Sequence, residues 1–269
     1  MLNDFSNIVA RALKEDIGTG DVTSDNTVPE DLQAEGTFFA KQKLVLAGGY
    51  VLNLIFSNVE RLHTDGEILE RGTAIATVHG SARSLLKHER VALNFLQQLS
   101  GVATLTRQYV DQTEGTKCRI LDTRKTTPGL RMMEKMATQA GGAVNHRMGL
   151  YDAILIKNNH IDLAGGVKAA VTMAQKSGMP VECEVRSHEE IVEALSLGVS
   201  RLLLDNMTPE QATQEIQFIN GRASVEISGG VTLDTVRAYA LTGADFISVG
   251  ALTHSAPAVD INFRIKPIR

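Results

Sequence analysis

The apolar positions of this chain keep one rhythm up to about residue 113 and another beyond it. Phe5, Ile8, Val9 and Leu13 recur at helical spacing, and Gly18-Thr-Gly20 ends that helix. Between Gly36 and Gly80, short β-like pieces (Thr37–Ala40 and Ala74–Val78) alternate with an apolar segment, Tyr50 to Val59, that reads as helix. A long helical pattern runs from about Ser84 to Thr113, carrying Leu85, Leu86, Val91, Leu93, Phe95 and Leu96, with Gly101 as a candidate bend. From Cys118 onward, short apolar runs alternate with helical stretches: Cys118–Leu121, Ala153–Ile156, Val181–Val185, Arg201–Leu204, Ser224–Ile227 and Phe246–Val249. After the second run the spacing settles at roughly 20 to 28 residues, the βα rhythm of a parallel sheet or barrel. The pattern predicts an α/β protein with an N-terminal α/β domain over 1–113 and an α/β-barrel domain over 114–254. The tail, 255–269, is too short for a domain and is placed to pack back on the first.

Composition narrows the class. Hydrophobic residues at 43% and charged residues at 22% are ordinary for a globular protein. A net charge of -4 argues against the broad basic face that nucleic-acid or membrane-surface binding requires. No run approaches the ~18 apolar residues of a membrane span. Met1-Leu-Asn-Asp-Phe-Ser6 lacks the basic start and apolar core of a signal peptide, so the cytoplasm is the expected compartment. Cys118 and Cys183 lie in apolar stretches without metal-site spacing and read as buried, reduced thiols. Charge is nevertheless concentrated in one place. The stretch Arg119–His160 holds seven Lys/Arg and two His against Asp122, Glu134 and Asp152 alone. Broken by Gly and Pro, it reads as a pocket for a polyanionic small molecule.

The strand ends support an enzyme. Asp122, Lys157, Glu184, Asp205, Ser228 and Gly250 all fall at or just after the C-terminal ends of the six predicted strands. In an α/β barrel that rim is where ligands and catalytic groups converge. Ser228-Gly229-Gly230 before a helix begun by Thr232, with Val249-Gly250-Ala251 closing the next strand, reads as a phosphate site. Glu184 and Asp205 are placed to orient a hydrated Mg²⁺ or hold a ribose diol, or else to neutralise cations across the rim. Lys157 fits a Schiff-base lysine, if buried, a phosphate clamp, or a salt bridge to Glu184. His146 and His160 lack the spacing of a metal pair on one helix face, and no zinc site is assigned. Arg90 reads as a solvated arginine on the long helix.

Several motifs together resemble the quinolinate phosphoribosyltransferase family, over nearly the whole chain. They are Glu89-Arg-Val-Ala-Leu-Asn94, Leu99-Ser-Gly-Val-Ala-Thr104, Asp122-Thr-Arg-Lys-Thr-Thr-Pro-Gly-Leu-Arg131, Asn145-His-Arg147, Ile156-Lys-Asn-Asn-His160, Leu204-Asp-Asn206 and Ser228-Gly-Gly230. The resemblance implies an N-terminal α/β sandwich, a C-terminal open, incomplete parallel barrel, and a homodimer with shared active sites. It implies that quinolinate is held by Arg124, His146, Arg147 and, from a second copy, Arg90, within a loop that includes Thr123. Lys157 would lie between the two substrates, and Lys125 and Lys157 would face the pyrophosphate of phosphoribosyl pyrophosphate. Glu184 and Asp205 would hold the ribose hydroxyls and Mg²⁺, and Ser228, Gly229, Gly230 and Gly250 the 5′-phosphate. Asn158 stands where the family often has Asp, and Arg186 where an acidic residue is common.

The implied reaction gives nicotinate mononucleotide, pyrophosphate and CO₂, a step in NAD biosynthesis. It asks for positioning and charge stabilisation around an oxocarbenium-like ribose, not for a nucleophile. That suits an arginine-rich pocket without a Ser-His-Asp or Cys-His set, because the planar guanidinium binds carboxylate in bidentate fashion. Two rival readings are a Schiff-base barrel lyase, which leaves the Arg-Lys and His-Arg pairs unexplained, and a non-enzymatic sensor of a phosphorylated metabolite.

Overall fold

The computed structural model describes Leu2–Ile268, with only the backbone of Leu2–Asp4 described. It divides into two compact units. The first comprises the chain up to Arg107, Thr126–Gly142, and the chain from Leu252; the second comprises Gln108–Lys125 and Ala143–Ala251.

The first unit is built on an antiparallel sheet of β1 (Gln33–Ala40), β2 (Val59–Arg61), β3 (Ala74–Ser81) and the last strand of the chain, β10 (Ile261–Pro267), in the order β10-β1-β3-β2. Burial along β1 alternates, as a half-covered strand requires. Its Ala34, Phe38 and Ala40 share a core with Leu85, Leu93 and Leu96 of the helix Ala82–Asp111. Gly36 leaves room for β10: a Cβ there would lie 1.9 Å from the ring of Phe263. The apolar segment from Tyr50 is not one helix. A 3₁₀ turn, Gly49–Val51, and one helical turn, Leu52–Ile55, end at Phe56, whose extended backbone sends its ring against Phe38, and Val59 already belongs to β2. The long helix runs unbroken through Gly101, whose missing side chain instead admits the tail, since a Cβ would meet the Pro257 carbonyl oxygen at 2.2 Å.

The second unit holds six parallel strands: β4 (Arg119–Leu121), β5 (Ile154–Ile156), β6 (Val181–Val185), β7 (Arg201–Asp205), β8 (Ser224–Ser228) and β9 (Phe246–Ser248). Their order is β4-β9-β8-β7-β6-β5, so each strand lies beside its successor except that β4 and β5 do not pair. The barrel is therefore open between its first two strands. Val144 adds a single parallel bridge to Leu121 on the free edge of β4.

Register divides the residues of these strands into two faces. Val181, Cys183, Val185, Leu202, Leu204, Val225, Ile227 and Ile247 share one, and all are buried. The following helices His188–Ser196 and Pro209–Ile219 bury Ile191, Ala194, Ala212 and Ile219. The other face carries Glu182, Glu184, Arg201, Asp205, Glu226, Ser228 and Ser248. The interior of this open barrel is thus strongly polar. Among the described residues, no helix is long and apolar enough to cross a membrane.

Candidate active site

Two layers of polar groups line that interior. The upper one, at the C-terminal ends of the strands, centres on the carboxylate of Glu184, which is buried. Lys157 Nζ lies 2.6 Å from Glu184 Oε2, and the Asn158 amide donates to Glu184 Oε1 at 3.3 Å. The Asn158 side-chain amide donates to Asp205 Oδ2 at 3.4 Å, so Asn158 ties the two carboxylates together. Its own Oδ1 is buried with no hydrogen-bond partner. Lys157 is half exposed and paired with a carboxylate, so the burial in apolar surroundings that a Schiff-base lysine needs is absent. His160 is structural. Its Nδ1 accepts the Lys157 backbone N–H at 2.9 Å and caps the helix Asn158–Ala164. Arg186 pairs with Glu190 at 2.9 Å and Asp162 at 3.5 Å near the surface.

The cationic stretch does not form one pocket. Arg131 and Lys135 belong to the first unit, where Lys135 is buried and Arg131 Nε donates to Thr126 Oγ1 at 3.0 Å. Arg119 begins β4, at the opposite end of the sheet from the rim. Arg124, Lys125, Arg147 and Lys157 remain in the second unit. Asp122 joins their motifs across the open edge. Fully buried, it accepts from Asn145 Nδ2 at 2.6 Å and from the His146 backbone N–H at 2.8 Å. Thr123 Oγ1 accepts the Lys125 backbone N–H at 3.0 Å and shapes the loop between them. Arg147 is anchored by a 2.8 Å bond to the Ala153 carbonyl. Burial, and then the like charge of Arg124, push the Arg147 guanidinium below its ordinary range. A guanidinium whose charge is disfavoured in this way gains from an anion held against it.

On the next strands, Gly229 and Gly230 take φ of +104° and +59°, and a Cβ on Gly229 would lie 2.2 Å from Asn206 Oδ1. Only glycine fits there. The helix expected from Thr232 begins at Val236 and spans five residues, so the loop backbone, not a helix dipole, is what Ser228-Gly-Gly offers an anion. Val249 is buried, and Gly250 and Ala251 lead into the short helix Ala251–His254. Arg90 is exposed on the long helix, in the first unit.

The lower layer escaped the sequence analysis. Glu182, Glu226 and Ser248 are buried below the rim, with Arg201 beside them. Arg201 Nε lies 2.9 Å from Glu182 Oε1 and its Nη2 lies 2.5 Å from Glu226 Oε2, while Ser248 Oγ donates to Glu226 Oε1 at 2.5 Å. His146 Nε2 faces both carboxylates, at 3.4 and 3.5 Å. Burial, and then the charge of Glu182, push the Glu226 carboxyl up to about 7. Burial would lift Glu182 also, but the His146 hydrogen bond and the Arg201 charge outweigh it and hold that carboxylate below its ordinary range. The available signal was the polar alternation in Val181-Glu-Cys-Glu-Val185 and Ser224-Val-Glu-Ile-Ser228. Strands buried on both faces ordinarily read as continuous apolar runs, so such alternation marks a polar lumen.

Comparison with known proteins bears directly on this site. Residues 21–100 match the model of the quinolinate phosphoribosyl transferase N-terminal domain, and residues 102–264 that of its C-terminal domain. The chain is 41% identical over 260 residues to a probable nicotinate-nucleotide pyrophosphorylase [carboxylating] of Bacillus subtilis, covering 93% of this chain and 90% of that one. It is 40% identical to the chloroplastic nicotinate-nucleotide pyrophosphorylase [carboxylating] of Oryza sativa, covering 97% of this chain and 78% of the relative. Its fold matches the crystal structure of NadC from Streptococcus pyogenes with a TM-score of 0.95 and 37% identity, over 100% of this chain and 99% of that one.

Proposed function

The chain belongs to the quinolinate phosphoribosyltransferase family, and from that premise we propose how its second unit performs the family's reaction. The protein transfers phosphoribosyl from phosphoribosyl pyrophosphate to quinolinate with loss of CO₂, forming nicotinate mononucleotide and pyrophosphate. The observation that carries the assignment to residues is that Asp122, at the head of the loop bearing Arg124, holds the His146 backbone N–H beside Arg147, whose own guanidinium is anchored to the Ala153 carbonyl.

In this reading Arg124 and Arg147 each take a quinolinate carboxylate, and His146 and the Thr123 loop form the pocket wall. Lys125 and Lys157 face the pyrophosphate, whose departure leaves positive charge on the ribose. Glu184 and Asp205, tied by Asn158, hold the ribose hydroxyls and lie where that charge develops. Ser228, Gly229 and Gly230, with Val249, Gly250 and Ala251, take the 5′-phosphate on the backbone of their glycine-rich loops. The pyridine nitrogen then attacks C1 of the ribose, and the quaternised ring accepts the electron pair left when the 2-carboxylate departs as CO₂. No general base is needed for that loss.

Mg²⁺ fits this site. Glu184, Asp205 and the partnerless Oδ1 of Asn158 are hard oxygen donors of the kind that bind a hydrated Mg²⁺. When bound, the ion would neutralise charge on the leaving pyrophosphate. We further read the protein as a homodimer in which the partner subunit's Arg90 completes the quinolinate pocket, a role that suits its exposure on a rigid helix. The cytoplasm remains the compartment we propose.

Substrate discrimination tests the reading. With Mg²⁺ and phosphoribosyl pyrophosphate present, quinolinate should be turned over and nicotinate, which lacks the 2-carboxylate, should not. Equal turnover of both acids would remove the basis for a pocket built for two carboxylates.

A further inference from the structure

The lower layer of the lumen contains more charge than a scaffold needs. Two buried carboxylates, Glu182 and Glu226, share the Arg201 guanidinium, and Glu226 also accepts from the Ser248 hydroxyl. His146 Nε2 faces both of them. The other ring nitrogen, Nδ1, accepts the backbone N–H of Arg147 at 2.7 Å. An amide N–H can only donate, so this bond leaves no room for a proton on Nδ1. The ring proton must then sit on Nε2, where the two carboxylates receive it. These three residues also bring their ligand atoms within 4.8 Å of one another, as a metal site would. Arg201, however, already occupies both carboxylates, so the geometry serves a histidine and not an ion.

We propose that Glu182 and Glu226, clamped by Arg201 and Ser248, are positioning residues that fix His146 as its Nε2–H tautomer and thereby hold the His146–Arg147 wall of the quinolinate pocket. The proposal rests on the reaction assigned above. Neither glutamate touches substrate; each acts through the imidazole. Because His146 Nδ1 holds the Arg147 amide, a ring that flips or changes tautomer releases the backbone from which the Arg147 guanidinium projects. A loosened network should therefore damage recognition of quinolinate while leaving the phosphoribosyl pyrophosphate side, at Lys157, Glu184 and Asp205, largely untouched.

The test combines a spectrum with a kinetic split. In ¹⁵N-histidine-labelled full-length protein, the His146 resonances, identified by their loss in His146→Gln, should show the Nε2–H tautomer in the absence of substrate. Glu226→Leu should give mixed tautomers and raise KM for quinolinate about tenfold, the loss expected when a hydrogen-bonding group is misaimed, with KM for phosphoribosyl pyrophosphate within about twofold of wild type. Glu226→Gln, which keeps the shape and a hydrogen-bonding end, should restore both readouts. Should Glu226→Leu fail to fold, Ser248→Ala and Glu182→Leu carry the same two measurements. A wild-type His146 protonated on Nδ1 would overturn the proposal. So would a folded Glu226→Leu protein with unchanged tautomer and unchanged quinolinate KM. Since the tautomer is read without substrate, a protein that fails to use quinolinate would defeat the assigned reaction and leave the network's own test standing.

Discussion

Arg147 shows how a single residue is prepared for a ligand. Its guanidinium is anchored to the Ala153 carbonyl, its amide to His146, and burial together with Arg124 makes its charge costly until an anion arrives. Replacing Arg124 or Arg147 by Ala would strand one quinolinate carboxylate, and truncating one partner of such a pair costs about 2–4 kcal/mol, or roughly 30- to 1000-fold in kcat/KM for quinolinate. Steady-state kinetics with each substrate varied in turn would check this; near-normal quinolinate values in both variants would sink the carboxylate assignment. Glu226 supports a prediction of a different kind. Its carboxyl is raised from 4.5 to about 7, so between those pH values the folded state keeps a proton that the unfolded chain has released. Stability from this group is full below 4.5 and is lost as pH rises through about 7. Glu182, held below its ordinary value, works in the opposite sense and only at pH below 4.5. Urea unfolding across the range should show Glu226→Gln gaining on wild type from pH 4.5 to about 7 and then levelling. A constant difference across that window would mean that Glu226 is ionised throughout.

At the scale of elements, much was legible in the sequence because the periodicities are clean. The six strands β4–β9 fall within a residue or so of their apolar runs, and the polar residue closing most of them reaches the rim, as parallel βα units require. The helix Arg131–Ala140 was not legible. It buries Met133 and Ala137 as any amphipathic helix would, but also Glu134 and Lys135, whose charges mark no buried face in the sequence. Long-range pairing was equally hidden. Nothing local announces that Asp122 holds Asn145 and His146, or that Gly101 exists for the tail crossing at Pro257. Two glycines test these readings. Gly101→Ala should destabilise the first unit by about 1–3 kcal/mol through overpacking, visible as a lower unfolding midpoint. Gly229→Ala combines a left-handed φ with a clash on Asn206, so it should raise KM for phosphoribosyl pyrophosphate more than for quinolinate. The reverse order of effects would remove the 5′-phosphate from that loop.

For the whole molecule, one reaction would be divided among layers and copies. As proposed above, the rim would carry the chemistry, the lower lumen would orient His146, and the partner subunit's Arg90 would close the pocket. Shared sites have a simple consequence: Arg90→Ala and Lys157→Ala proteins, each inactive alone, should complement when unfolded and refolded together. Random pairing of a two-fold dimer would return about a quarter of wild-type activity, because half the dimers carry one intact site of two. No recovery would confine each site to its own chain. Ribosyl transfer to the pyridine nitrogen and the loss of CO₂ that follows it are obligatorily coupled, and product stoichiometry measures that coupling. With quinolinate labelled in the 2-carboxylate, phosphoribosyl pyrophosphate and Mg²⁺, labelled CO₂, pyrophosphate and nicotinate mononucleotide should form in equal amounts. Pyrophosphate release without matching CO₂, or a nucleotide that retains the label, would contradict it.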